Sequence, residues 1–353
     1  MTQPATRQEP MSDLREQRHA SITLGLLLDE LPHTASVREL DWRSFVQVAR
    51  GNGVLIRLAD RLAAFGEVIP DFVADAVTGE KHRSQEALRL LRQLSRNCRS
   101  GGLAYAFTKA LQHYPDRCDD LEVLLLTPRL AVDRHVFQGL PAVPKPRSLD
   151  QRIARITSYR LAGRETDVSI LHGRLGALGE DQRFPRALVG NLRLLTIAGM
   201  SYRVPAPEDQ LILQAMQRVW GRGSLRLADV LHAISVIRGE PIDWASLARR
   251  ARTAYALHSL SCFLTYVDQI HEEVFDRAVL PDLARDVLKL GRRWGRVEFR
   301  SGRYRFPLAR VQRSAYAARL LGALGSGNWD GAGRLGLFPL LAPTGRLPAA
   351  RAS

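Results

Sequence analysis

Hydrophobic positions in the first hundred residues repeat with a helical period. From Ser21 to Phe65, and again from Val68 to Cys98, apolar residues recur at intervals of three and four, as they do along one face of a helix. The second stretch has room for two helices. Asp41 precedes one of the early apolar runs and is suited to cap a helix N-terminus. The pattern predicts a helical segment over residues 21–99, preceded by a polar, disordered leader over residues 1–20.

The period changes after the Ser100-Gly101-Gly102 sequence, which interrupts the helical pattern. Three apolar runs of strand length follow, at residues 103–108, 121–126 and 165–176. Residues 191–207 are typical either of a strand pair or of a helix followed by a strand. This change of period predicts a core containing a sheet over residues 100–205.

Two helices are predicted between these strands. One covers residues 131–140, and the other covers residues 148–163 with Ser148 as its cap. The proline-rich segment 140–148 between them reads as a loop.

The remainder of the chain returns to helical periodicity. Pro207 is suited to the first position of a helix, and residues 206–320 are predicted to be helical. Residues 321–353 are rich in Gly, Pro, Ala and Leu without a clear period, which predicts a flexible tail. The fold class expected is therefore α+β, with a mixed-sheet core between helical N-terminal and C-terminal segments.

Composition restricts the class of protein. The 353 residues are 45% hydrophobic and 25% charged, which is typical of a soluble globular protein. There is no run of 18 or more apolar residues, so no transmembrane helix is expected. The N-terminus has no apolar signal region, which favours a cytoplasmic location. Cys98, Cys118 and Cys262 lack the spacing of a zinc site.

The net charge of +15 raises the question of nucleic-acid binding. From Val287 to the end of the chain there are thirteen Lys and Arg residues against two acidic residues, which gives +11. Most of the excess therefore belongs to the C-terminal region. Only four lysines occur in the chain, and this bias is more typical of codon composition than of phosphate recognition. A nucleic-acid-binding protein that uses its basic C-terminal region is an alternative, but it is not favoured.

Candidate chemistry begins at Asp120 and Glu122, which flank the start of the apolar run 121–126. Residues at i and i+2 of a strand point to the same face, with Cα atoms roughly 6.5–7 Å apart. Two such carboxylates can converge on Mg²⁺, which prefers oxygen ligands and completes its shell with water and substrate phosphates. The pattern is common by chance, so a solvated strand start is the competing interpretation.

The order of residues around this pair resembles the uncharacterised nucleotidyltransferase family of bacteria, within the DNA polymerase β-like superfamily. In that family a lysine precedes a short turn and a strand with an acid-x-acid pattern, and "KALQHYPD" (Lys109 to Asp116) followed by "DLE" is similar. The resemblance extends over about residues 22–280. Further stretches in the family's order are "LHGRLGALGE" (171–180), "YRVPAPEDQLIL" (202–213) and "RLADVLHAI" (226–234).

The resemblance implies a nucleotidyltransferase-like core and Mg²⁺-dependent transfer of a nucleotidyl group from an NTP to a small or carrier-bound acceptor. It implies that Asp120 and Glu122 are catalytic metal ligands; Asp167 is the candidate for a third carboxylate, with which the site would hold two ions. Lys109 would lie against the triphosphate of the nucleotide or support the electrostatics of the site, and His172 is a candidate to orient a phosphate or the acceptor. The competing interpretations are a solvated lysine at Lys109 and a structural strand histidine at His172.

The chain departs from the family pattern at three places. Glu122 is one methylene longer than the usual aspartate, and Cys118 and Asp119 stand where the family often has a small or glycine-containing turn. Ile170 occupies the position of the third acid. Asp167, three residues earlier, would face the other way on a regular strand, so a bulge is required to bring it to the metals. Without a third acid, the alternative is a catalytically degenerate binding protein of the same fold.

Two groups near the pair have open assignments. Arg218, Arg222 and Arg226 are candidates for phosphate contacts or for ion pairs with acids such as Asp229. His113 is a candidate for contact with the acceptor or for stabilising its turn.

Overall fold

The computed structural model gives an α+β protein with a mixed sheet, as the change of period predicts. It describes most of the chain, in seven ranges. These are residues 10–28, 41–116, 120–127, 134–219, 223–239, 241–290 and 294–337.

The first hundred residues form helices, in agreement with their apolar period. The helices are α1 (Pro10–Leu27), α2 (Trp42–Gly51), α3 (Leu55–Ala64) and α4 (Asp71–Ser100). Asp41 caps α2, because its side chain accepts a hydrogen bond from the backbone N–H of Arg43 at 3.2 Å.

Two of the N-terminal predictions are wrong. The leader expected over residues 1–20 is helical from Pro10 onwards, because α1 buries Ala20 and Leu24 completely against the neighbouring helices. Residues 1–9 lie outside the described ranges. The two helices expected between Val68 and Cys98 are a single helix, α4, which is held along its length by one buried stripe.

The central sheet has five strands in the order β1-β2-β5-β4-β3. Strands β2 and β5 are parallel, and every other neighbouring pair is antiparallel. The three predicted strand regions each contain a strand of this sheet. The strands are β1 (Tyr105–Phe107), β2 (Leu121–Leu125), β3 (Ala142–Pro144), β4 (Ile156–Leu161) and β5 (Val168–His172).

The two faces of this sheet bury different groups. On one face, Phe107, Val123 and Ile170 pack with Leu90 and Leu94 of α4 in one apolar cluster. On the other face, the later part of the sheet packs against the C-terminal helices, while its beginning carries polar side chains. The beginning of β2 and β5 is therefore where this sheet presents polar groups.

The helix predicted over residues 148–163 is correct only in its first half. Helix α5 (Leu149–Ala154) ends at Arg155, which has a left-handed backbone with φ of 56°. Strand β4 follows at once, since "ITSYRL" alternates with Thr157, Tyr159 and Leu161 buried. In addition, the segment predicted as a proline-rich loop contains the edge strand β3, and of the predicted helix 131–140 the structure describes helical residues only at 134–136.

After the sheet, helix α6 (Arg183–Val189) leads to a hairpin of β6 (Leu192–Ile197) and β7 (Met200–Pro205). The strand-pair alternative is therefore confirmed. Pro207 stands at the start of the next helix, as predicted. The helices that follow are α7 (Pro207–Gln217), α8 (Leu227–Gly239), α9 (Trp244–Thr253), α10 (Leu257–Phe275), α11 (Asp282–Leu288), α12 (Leu308–Gly325) and α13 (Trp329–Gly336).

Two features of the C-terminal part were not predicted. A small sheet forms in the order β8-β10-β9 from β8 (Ser224–Leu225), β9 (Glu298–Arg300) and β10 (Arg303–Arg305). Helix α13 lies within the predicted flexible tail and buries Leu335 against α12, which itself continues to Gly325, so that prediction is wrong for residues 321–325 and 329–336. Residues 338–353 lie outside the described ranges. None of the helices in the described ranges has both the length and the apolar composition that a bilayer-spanning helix needs.

The N-terminal and C-terminal helices share one core, although they are far apart in sequence. Asn52, which is fully buried, connects them. Its side chain accepts a hydrogen bond from the Leu227 N–H at 3.1 Å and donates one to the Gly302 carbonyl at 2.7 Å. The helical first hundred residues are therefore part of one folded body with the end of the chain.

The contact between α4 and the sheet gives a stability prediction. Leu94 is completely buried in this contact, so Leu94→Ala should lower the free energy of unfolding by about 2–5 kcal/mol in urea denaturation. Arg96→Ala, two residues along the same helix but exposed, should change it by less than about 0.5 kcal/mol. Equal shifts for the two variants would contradict the placement of α4 on the sheet.

Candidate functional site

The parallel pairing of β2 and β5 determines which side chains can meet. Glu122 is in register with Ser169, and Val123 is in register with Ile170. Residues in register share a face of the sheet, and successive residues alternate between the faces. Glu122 and Ser169 therefore lie on one face, and Val123 and Ile170 lie on the other.

This register changes the interpretation of the third carboxylate. Ile170, which stands where the resemblance places that acid, is fully buried with Val123 in the core beneath α4. A carboxylate at this position would point away from Glu122. The position beside Glu122 belongs to Ser169, which has a hydroxyl instead.

The prediction that Asp167 needs a bulge to face the carboxylate pair is wrong. Strand β5 pairs with β2 in an unbroken register, and because Ile170 faces the core, Asp167 falls on the side of Glu122. Its backbone carbonyl accepts a hydrogen bond from the Leu121 N–H at 3.2 Å, which places it beside the start of β2.

Lys109 lies between the carboxylates of Asp120 and Glu122. Its Nζ is 3.5 Å from Glu122 Oε1 and 3.9 Å from Asp120 Oδ2. The lysine side chain is only 9% exposed, while Asp120 is 37% exposed. The interpretation of Lys109 as a solvated lysine is therefore wrong, and the ammonium group offsets part of the negative charge of the pair.

Glu122 is held by neutral donors as well. Its Oε2 accepts a hydrogen bond from Gln217 Nε2 at 3.0 Å and lies 3.5 Å from the Thr108 hydroxyl. Gln217 is the last residue of α7, 95 residues further along the chain. Sequence reasoning missed Gln217, because no local pattern connects a helix end to a strand so far away.

Asp167 is held by two cations at the other side of the face. Its carboxylate lies 2.6 Å from Lys145 Nζ and 3.9 Å from Arg160 Nε. Sequence reasoning missed Lys145, which follows β3 in the segment predicted as a loop. In the parts of the chain that the structure describes, no three His, Cys, Asp or Glu side chains form a group that could hold a metal ion. Asp120, Glu122 and Asp167 are thus on one side of the sheet but do not converge on one point.

This arrangement fits one metal ion better than two. Mg²⁺ is commonly held by one or two carboxylates, with waters and substrate phosphates as its other ligands, and Asp120 and Glu122 supply that number. A second ion would need the carboxylate of Asp167, which its contacts direct to Lys145 and Arg160.

A row of polar side chains crosses β2, β5 and β4 through Glu122 and continues to Thr108 and Lys145, which directly follow β1 and β3. Glu122 accepts a backbone hydrogen bond from the Thr108 N–H at 3.1 Å and is in register with Ser169 on the neighbouring strand. The Ser169 hydroxyl lies 3.0 Å from the Ser158 hydroxyl. The Ser158 carbonyl in turn accepts a hydrogen bond from the Lys145 N–H at 2.8 Å. Hydroxyl and ammonium groups are donors for phosphate oxygens. This polar row gives the open face of the sheet the donors that a phosphate ester requires.

His172 does not belong to this group. It is the last residue of β5, on the same face as Ile170, and its Nε2 lies 3.4 Å from the Thr157 hydroxyl. The side chain is buried. These contacts favour the interpretation of His172 as a structural strand histidine rather than as a nucleotide ligand.

A buried charged cluster anchors the end of α7. Asp229 is fully buried and lies 2.6 Å from Arg218 Nη2 and 3.4 Å from His113 Nε2, and it accepts a hydrogen bond from the Arg226 N–H at 2.8 Å. Burial alone would raise the pKa of Asp229, but Arg218, His113 and Arg226 together hold this pKa well below its ordinary value. Arg218 and Arg226 thus pair with Asp229, and Arg222 lies outside the described residues.

The buried cluster around Asp229 positions part of the candidate site, because one of its members is adjacent in sequence to Gln217. Arg218 directly follows Gln217, so the ion pair with Asp229 fixes the helix end that presents Gln217 to Glu122. At the other side, Asp116 accepts hydrogen bonds from Ile56 N and Arg57 Nε, both at 2.7 Å, at the start of α3. The stretch from Lys109 to Asp116 is therefore held at both ends, and the turn residues Cys118 and Asp119 lie outside the described ranges.

His113 gives this cluster a pH dependence. Burial lowers the pKa of His113 from 6.5 to about 4, although Asp229 acts in the opposite direction. Below pH 6.5 the unfolded chain takes up a proton that the folded protein excludes, so stability falls as the pH falls towards 4. Between pH 6.5 and pH 5 this group should remove on the order of 2 kcal/mol from the free energy of unfolding.

The measurement is urea denaturation at several pH values for wild type and His113→Gln. The variant should have a shallower decline in stability over this interval, and His82→Gln, at an exposed histidine, should keep the slope of wild type. Identical slopes for wild type and His113→Gln would show that His113 is not buried in its neutral form.

Comparison with known proteins adds no independent assignment for this arrangement. Neither the family models, nor the curated proteins, nor the solved structures include a match to the chain.

Proposed function

We propose that the protein is a Mg²⁺-dependent nucleotidyltransferase with a nucleotidyltransferase-like sheet core. It transfers an NMP group from an NTP to a small or carrier-bound acceptor that is not identified. One observation carries the proposal: the ammonium group of Lys109 lies between the carboxylates of Asp120 and Glu122 on an accessible face of a mixed sheet. The resemblance of Lys109–Asp116 and the downstream stretches to a nucleotidyltransferase family supports it.

The reaction requires an in-line displacement at the α-phosphorus of the NTP. An acceptor oxygen forms a bond to this phosphorus, the bond to the bridging oxygen of pyrophosphate breaks, and the acceptor proton passes to a base. When bound by Asp120 and Glu122, Mg²⁺ would neutralise charge on the phosphate oxygens. The exposed carboxylate of Asp120 is placed to reach solvent and substrate, whereas Glu122 is the more restrained of the two.

The chain's own cations and hydroxyls provide the remaining stabilisation. Lys109 is desolvated, so its charge acts more strongly on a nearby phosphate than an exposed lysine would. Ser158 and Ser169 lie in the polar row between Glu122 and Lys145, where they can donate hydrogen bonds to phosphate oxygens. A triphosphate bound along this row would place its negative charge near Lys109 at one end and near Lys145 at the other.

A catalytically degenerate binding protein of the same fold is the second candidate. The contacts of Asp167 with Lys145 and Arg160 favour it, because they leave the described residues without a third converging carboxylate. The basic C-terminal region is weaker support for nucleic-acid binding. Arg319 pairs with the buried Glu180 at 2.9 Å, and Arg334 pairs with Asp330 at 3.2 Å, so part of that positive charge is used within the fold.

Substitution of Asp120 tests the proposed enzyme. In assays with each NTP, Mg²⁺ and a panel of acceptors, Asp120→Asn should reduce pyrophosphate release by about 100-fold or more, because the variant loses a charged metal ligand. Asp75→Asn, at an exposed carboxylate of α4, should keep wild-type activity.

Calorimetric titration with an NTP and Mg²⁺ separates the two candidates. Binding without pyrophosphate release by wild type, across the acceptor panel, would replace the enzyme with the binding protein. The absence of both binding and release would overturn both proposals.

Asp167 offers a sharper test of the metal site. Because its carboxylate is directed to Lys145 and Arg160, Asp167→Asn should lower pyrophosphate release by less than about tenfold, well short of the loss in Asp120→Asn. Mn²⁺ binding followed by electron paramagnetic resonance should show one ion per chain in the presence of NTP for both wild type and Asp167→Asn. Two ions in wild type and one in the variant would instead assign Asp167 to the metal set.

A further inference from the structure

A cleft lies between the end of α5 and helix α13, at the opposite end of β5 from Asp120 and Glu122. Arg155, in its wall, accepts a hydrogen bond through its carbonyl from the N–H of His172, the last residue of β5. Five residues of strand, roughly 16 Å, separate this end from Asp167. The cleft has a volume of about 410 Å³, which lies within the range of small-molecule sites.

One wall of the cleft is apolar and has a gap in its middle. Trp329, Gly333 and Leu337 line it from α13 and its C-cap, and their spacing of four residues places them on one face of the helix. Trp329 is 72% exposed and Leu337 is 42% exposed. A Cβ atom added at Gly333 would meet nothing within 4 Å, so the space between the two side chains is open down to the helix backbone. A flat ring can enter this gap.

The facing wall carries two arginines. Arg152 and Arg155 are three residues apart at the end of α5, and both are exposed. Within the described residues, Arg152 and Arg155 make backbone hydrogen bonds, and neither guanidinium has a hydrogen bond or an ion pair with another residue. They are therefore available for an anion.

The other charges of the cleft are already paired. Arg334 lies 3.2 Å from Asp330, and Asp330 also lies 2.8 Å from Arg174. The charged residues that line the cleft are Arg152, Arg155, Arg334 and Asp330, and three positive charges less one negative charge leave +2. An anionic ligand is favoured by this balance.

We propose that this cleft is a binding site for an anion with a flat aromatic ring, in the class of phosphate monoesters that carry such a ring, among them aryl phosphates and nucleoside monophosphates. The ring would lie over Gly333 between Trp329 and Leu337, where it removes exposed apolar surface from water. The anionic group would be bound by Arg152 and Arg155, whose guanidinium groups form charge-assisted hydrogen bonds with phosphate. This site is separate from the carboxylate face, and it does not depend on the function proposed for that face.

Isothermal titration calorimetry with adenosine monophosphate and with 1-naphthyl phosphate tests the proposal on the full chain. Both probes should bind wild type saturably at the cleft. Gly333→Leu should weaken that binding by about tenfold or more, because the new side chain fills the gap. The variant should fold normally, since leucine favours a helix more than glycine does and meets no neighbour here. Arg152→Ala and Arg155→Ala should each weaken binding by about tenfold.

Matched controls separate the cleft from other parts of the protein. Arg164→Ala removes an exposed arginine outside the cleft and should change the affinity by less than about twofold. Asp120→Asn should leave binding of 1-naphthyl phosphate unchanged, which distinguishes this site from the carboxylate face. Adenosine and inorganic phosphate should each bind more weakly than adenosine monophosphate. Absence of binding by both adenosine monophosphate and 1-naphthyl phosphate, or equal binding by wild type and Gly333→Leu, would overturn the proposal.

Discussion

The parallel pairing of β2 with β5 is the constraint on which the candidate site depends. Because side chains alternate along a strand, a slip of one residue would exchange the two faces of β5. Val168 and Ile170 are completely buried, and the cost of exposing them holds the register in place. The burial of apolar side chains beneath α4 therefore determines which polar residues accompany Asp120 and Glu122.

The general organisation of the fold could be predicted from local sequence, whereas the partners within the site could not. Helical periodicity located α2 and α3, and the apolar run beginning at Leu121 located β2, because each signal lies within a few residues. Strand β4 was missed because it follows α5 without a spacer, and the left-handed Arg155 that separates them leaves no distinctive pattern. The register of β5 against β2 is a long-range property, so Ser169 could not be recognised as the neighbour of Glu122.

Some charged residues of the site could be identified from the sequence, and others could not. Asp120, Glu122 and Lys109 come together because a desolvated lysine requires nearby carboxylates, and all three lie close to β1 and β2. Lys145 and Gln217 reach the same face from remote segments. For Arg218, the alternatives of a phosphate contact and an ion pair had equal support in sequence, and the burial of Asp229 decides between them, since a buried carboxylate is stable only with its partners.

Asn52 has a consequence for the order in which the protein can assemble. Its amide joins α2 to the first residue of α8, Leu227, and to the turn between β9 and β10, 250 residues away from it. During synthesis the N-terminal helices emerge first, yet the hydrogen bond to the Gly302 carbonyl can form only when nearly the whole chain has left the ribosome. Until then the N-terminal helices lack the C-terminal part of the core that they share, so the completion of this core is a late step.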